Sequence, residues 1–184
     1  MADEQAGQPG RRARTGRSIA SLALVGLGWM LILAAAASLL YTREIRNPDE
    51  VTLPDNLAGY PRRAALYGEQ AISDVSRLHG KEFPLSSGGV GMYGDQGEVT
   101  LWATGTLADF LASRMLEDMV EAIAQGDSRF VPRAELERGG RRVFELDGMG
   151  QRHFYFQAGR LVIWLAADPA LAEDALRGAL AFYP

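Results

Sequence analysis

The sequence predicts an α+β protein: one apolar N-terminal helix, then a single domain with an antiparallel sheet of about six strands packed by about three helices. Three observations carry this. Ser18 to Thr42 contains no charged side chain. Phe130 to Ala166 alternates apolar and polar residues between the turn signals Gly139-Gly140, Asp147-Gly148 and Ala158-Gly159. Stretches around Arg63–His79, Leu107–Ile123 and Leu171–Leu180 place apolar residues at helical spacing.

Residues 1–17 are polar and rich in Gly, Gln and Arg, a composition too poor in apolar surface to fold, so a disordered cytoplasmic tail is expected. Residues 18–41 form the expected transmembrane helix, because at ~1.5 Å per residue they cross a hydrocarbon core of ~30 Å. Arg11, Arg12, Arg14 and Arg17 precede the span, and only Arg43 and Arg46 follow it closely, which sets the N-terminus inside. A cleaved secretory signal is the competing reading, with Ala34-Ala35-Ala36 as the cut. Ser38 to Tyr41 extends the apolar run past that point and favours a retained signal anchor. Residues 42–61 carry Pro48, Pro54 and Pro61 and read as an extended linker.

Residues 62–184 then form the extracytoplasmic domain. A helix is expected over Arg63–His79, closed by Gly80. Gly89–Tyr93 and Glu98–Thr104 read as a hairpin across Gly94-Asp95-Gln96-Gly97. Thr106 is the expected cap of a helix ended by Gly126, with Asp109 in its first turn. A meander follows, over Phe130–Arg138, Arg141–Leu146, Arg152–Gln157 and Leu161–Ala166. Asp168 and Pro169 suit the N-cap and first position of the last helix. The later part of this order resembles that of the Mog1/PsbP-like α/β/α sandwiches. The resemblance lies in element order alone, so no functional residue is carried over from it.

Composition narrows the function. The chain has no cysteine, which excludes disulfides, Cys-ligated metal, thiol catalysis and a cysteine-linked lipid. Arginine outnumbers lysine 18 to 1, which with abundant Ala and Gly suggests a high-GC bacterial genome and hence the bacterial cytoplasmic (inner) membrane. From Glu44 onward there are 14 basic and 21 acidic side chains, a net of −7. Nucleic acid is a poor partner for such a domain, since its binding needs a basic face. The glycines at 88, 89, 91, 94 and 97 lack the Lys-Ser/Thr of a phosphate loop. No metal-ligand spacing appears, and no cofactor is expected.

Strand alternation sorts the sheet residues. One face is expected to hold Phe144, Leu146, Phe154, Phe156, Leu161, Ile163 and Leu165, with Val99 and Leu101. The other is expected to hold Tyr93, Trp102, His153, Tyr155 and Trp164. Aromatic side chains with polar tips suit a recognition surface, unless the Arg63–His79 helix covers them as a second core layer. Arg141 and Arg142 begin a strand beside a turn, where they can meet carboxylates of a partner.

The resulting expectation is a non-catalytic, single-span membrane protein whose exported domain binds or assembles. Its partners are the bilayer and either a protein in a membrane complex or a second copy, met through that face or through Gly26, Gly28 and Ala34–Ser38 of the span. Two alternatives stand beside it. One is a tethered enzyme using His153 with a carboxylate such as Glu145; the other is a small-ligand sensor domain.

Overall fold

The computed structural model describes residues 13–80, 82–126 and 129–184, with side chains from residue 22 onward. Most of the expected tail therefore lies outside the described residues, and its last part, from Ala13, is helical. Helix α1 runs Ala13–Arg46. Within it Leu22–Arg46 has a mean hydropathy of 2.2 and contains no buried residue, the length and composition of a membrane anchor or signal sequence. The helix outruns the expected span because nothing breaks it before Asn47-Pro48, since proline disfavours helical geometry in the residue it follows.

Residues 42–61 are not a tether. Only Asn47 and Pro48 separate α1 from β1 (Asp49–Glu50), which pairs in parallel with β4 (Ser87–Tyr93). Val51, Leu53 and Leu57 are buried in the domain core. Short β2 (Asn56–Leu57) then pairs with the start of β3 (Tyr60–Tyr67). The alternating apolar residues beside the prolines were the signal for this. Proline also suits the margins of sheets, and here Pro61 lies at the start of β3, beside the two-residue edge strand β2.

The sheet has nine strands, more than the six expected. Beyond β1, the neighbour order is β2-β3-β4-β5-β9-β8-β7-β6, antiparallel throughout, with β5 at Val99–Gly105, β6 at Val131–Arg138, β7 at Arg141–Gly148, β8 at Gln151–Ala158 and β9 at Leu161–Ala167. Helix α2 covers Gly68–His79, so Arg63–Tyr67 is strand where helix is expected. Gly68 explains the boundary. Its φ of +53° lies in the left-handed region, which ends the strand and keeps α2 from extending back past its first residue. Gly80, at φ +66°, closes α2 as expected.

Helix α3 spans Asp109–Ala124 and α4 spans Ala172–Phe182, both starting later than the expected caps. The Thr106 hydroxyl donates instead to the Ala108 carbonyl at 2.8 Å, and Asp168 closes a turn by accepting from the Leu171 N–H at 2.9 Å.

Helices α2 and α3 pack on one face of the sheet and α4 on the other, giving three layers. The glycines of β4 make this possible. A side chain on Gly88 would meet Ile72 and Ala71 of α2 at 3.0–3.1 Å, and one on Gly89 would meet the Val51 carbonyl at 2.8 Å on the opposite side. The Gly-rich run is thus a strand squeezed between two layers. Edge strand β6, and β3 beside the two-residue edge strand β2, each carry a proline followed by a bulge, Pro61 before the shift at Arg62/Ala64 and Pro132 before the shift at Pro132/Ala134. Such edges resist pairing with another chain.

Candidate functional site

Strand register redistributes the expected faces. In β7–β8 and β8–β9, two-residue turns pair residues of opposite parity, so Phe144 faces Tyr155, Leu146 faces His153, and Tyr155 faces Trp164. Phe144 and Leu146 therefore belong with the aromatic residues and not with Phe154 and Phe156. The β7–β8 turn lies at Met149-Gly150, not Asp147-Gly148, with φ of +52° and +79°, the double positive φ of a type I′ hairpin. Tyr93 moves the other way. It pairs with Val99, joins the α4 core fully buried, and donates its hydroxyl to the Pro54 carbonyl at 2.9 Å. Burial raises its pKa above the ordinary tyrosine value.

The remaining aromatics form a ladder across the sheet, beneath α3. Arg142 lies over the Phe144 ring at 5.1 Å, Phe144 stacks on Tyr155 at 4.8 Å, and Tyr155 stacks on Trp164 at 5.3 Å. Phe130 meets both Trp164 and His153, at 5.0 and 4.7 Å. Ala112, Leu116 and Ile123 of α3 close over this layer. Burial pushes the Tyr155 hydroxyl up to about 12. The aromatic face is therefore a second core, and the helix lying over most of it is α3. Trp102 sits further along, half-buried, and its Nε1–H donates to Asp74 of α2 at 3.2 Å.

His153 retains 2% of its exposure. Its Nδ1 accepts from Trp164 Nε1–H at 3.2 Å, which leaves the proton on Nε2, donated to the Gly148 carbonyl at 3.0 Å. Burial holds its pKa below the ordinary histidine range, against the Gly148 carbonyl and Asp147, which pull it up. Glu145 is on the opposite face, opposite Phe154, and is shared by Arg133 at 3.2 Å and Arg152 at 3.1 Å. The expected His153–Glu145 pair does not exist. With both ring nitrogens engaged by the protein and the side chain buried, His153 is not placed to move a substrate proton.

Of the expected surface, Arg141 and Arg142 remain accessible. Arg141 donates to the Tyr183 carbonyl, while Arg142 pairs with Glu135 at 2.6 Å, which lowers the Glu135 pKa. They border a shallow, open cleft of about 400 Å³, also lined by Ser113, Glu117 and Gln157. A second depression runs along the outer side of α3, from Phe110 to Glu121, and Phe110 is 69% exposed. The exposed apolar Phe110 was not singled out from sequence, since a helical stripe assigns it to the core. Among the described residues no three His, Asp or Glu side chains group to hold a metal ion.

No family model, curated protein or solved structure matches this chain.

Proposed function

We propose that this is a bitopic inner-membrane protein whose exported α+β domain is a non-catalytic binding or assembly module. What supports the reading most is the join: an apolar helix without a buried residue leads through two residues into a domain whose buried histidine is fully engaged by its own fold. The contact surface in this reading is the outer side of α3 with the adjoining start of β7, where Phe110, Arg114, Arg141 and Arg142 surround two open depressions. Open, mixed-polarity relief of this kind suits a protein surface better than a small ligand, which needs enclosure.

The test is in-cell photo-cross-linking of the full chain with the reactive side chain at position 110 or 142, and at exposed position 177 on α4 as control. Recovery of one membrane partner from the first two positions and not the third supports the proposal. Equal recovery from all three, or from the control alone, overturns the assigned surface. Release of the full chain by alkaline carbonate overturns the anchor.

A further inference from the structure

The buried histidine is also a titratable group. His153 lies where three things meet: the Gly148 carbonyl on Nε2, the Trp164 indole N–H on Nδ1, and the Phe130 ring against its edge. Gly148 serves twice, because a side chain there would collide with the Phe130 ring. Phe130 immediately precedes β6, the edge strand of the sheet. We propose that His153, Trp164 and Phe130 form an acid-sensitive latch, which fastens the segment entering β6 at neutral pH and releases it when His153 is protonated.

The chemistry is one of donor count. Neutral His153 offers Nδ1 as an acceptor, which the Trp164 N–H requires. A proton taken from solvent converts Nδ1 into a second donor facing that N–H, so the bond is lost and a cation is left in an apolar layer. Few charges nearby can compensate. On β7, Asp147 is the one carboxylate that acts on the ring among the described residues, and Arg133 of β6 already holds it at 2.8 Å. From β9 the neighbours are Trp164 and Ala166, and α3 turns Met119, Val120 and Ile123 toward this layer, all uncharged. Arg152, next along β8, pairs with Glu145 on the other face. The cheapest response to protonation is for Trp164 and Phe130 to move away, taking the start of β6 with them.

The latch is a property of the domain. Its use as a sensor of outside acidity rests on the exported placement proposed above. The experiment is amide exchange over residues 129–136 of the full chain in mild detergent, corrected for intrinsic rates, at about pH 7.5 and about pH 5, either side of the ordinary histidine value. The expected result is several-fold faster exchange at the lower pH. In His153→Gln this acceleration disappears, because the amide can donate to Gly148 and accept from Trp164 without titrating. An equal acceleration in His153→Gln, or none in the wild type, overturns the latch. Trp164→Phe gives a second reading should the glutamine variant fail to fold. Without the opposing N–H, the His153 imidazole must titrate at higher pH, followed by its ring ¹⁵N shifts, and an unmoved midpoint overturns the proposal. None of these readouts depends on membrane topology, which protease accessibility in spheroplasts tests separately.

Discussion

The two faces of the sheet are buried by different means. Toward α4 the layer sets small residues against large ones: Ala172, Ala175 and Ala179 let the helix approach Phe154, Phe156, Ile163 and Leu165 closely, and all are fully buried. Beneath α3 the layer is a row of rings with polar atoms, Tyr155, Trp164 and His153, and Trp164 remains half-buried. Apolar burial is non-directional, so the α4 face gains mainly from area and tight packing. The tyrosine hydroxyls of the α4 face donate to backbone carbonyls, which do not titrate, whereas the α3 face joins Trp164 to a histidine, which makes it responsive to protons. One face fixes the fold; the other can register its surroundings.

Substitutions can break or sharpen this contrast. The largest effect is expected from Phe156→Ala on the dry face, a loss of about 3–5 kcal/mol in unfolding free energy for the full chain in mild detergent. Gly89→Val comes next at about 1–3 kcal/mol, since its side chain must displace the Val51 segment from that same face. Trp164→Phe keeps most of the ring contacts and loses the bond to His153, costing about 1 kcal/mol. If it cost as much as Phe156→Ala, the two faces would not differ in the way described.

Acidity separates them further. His153 binds its proton less readily folded than unfolded, because burial depresses its pKa. The unfolded chain therefore takes up the proton first. Stability contributed by neutral His153 is complete above the ordinary histidine pKa of about 6.5 and is lost as pH falls below it toward the depressed folded value. Unfolding midpoints measured across that range are expected to fall for the wild type and to fall less for His153→Gln. The smallest effect is expected of Arg142→Ala: its pairing with Glu135 is exposed, and no measurable change in midpoint should follow.

Much of this was legible in the sequence. The Gly139-Gly140 turn, the hairpin across Gly94 to Gly97 and the closure of α2 at Gly80 all stand where local chemistry puts them. Alternation along β7, β8 and β9 was equally plain, and counting parity through each two-residue turn would have placed Phe144 and Leu146 with Tyr155. Residues 49–67 were not legible in the same way. Two prolines and an Arg-Arg pair interrupt their apolar residues, and it is pairing with β2 and β4 that makes Tyr60–Tyr67 a strand.

The sequence by itself determined the apolar helix, the order of the later strands and helices, and the absence of any thiol chemistry, because each follows from residue type and near-neighbour spacing. Tertiary structure alone decided which helix covers which face, and so turned an expected recognition surface into a core. It also decided the state of His153. The tautomer and the exclusion of solvent arise from Trp164 and Gly148, groups on other strands, and no local pattern around residue 153 encodes them.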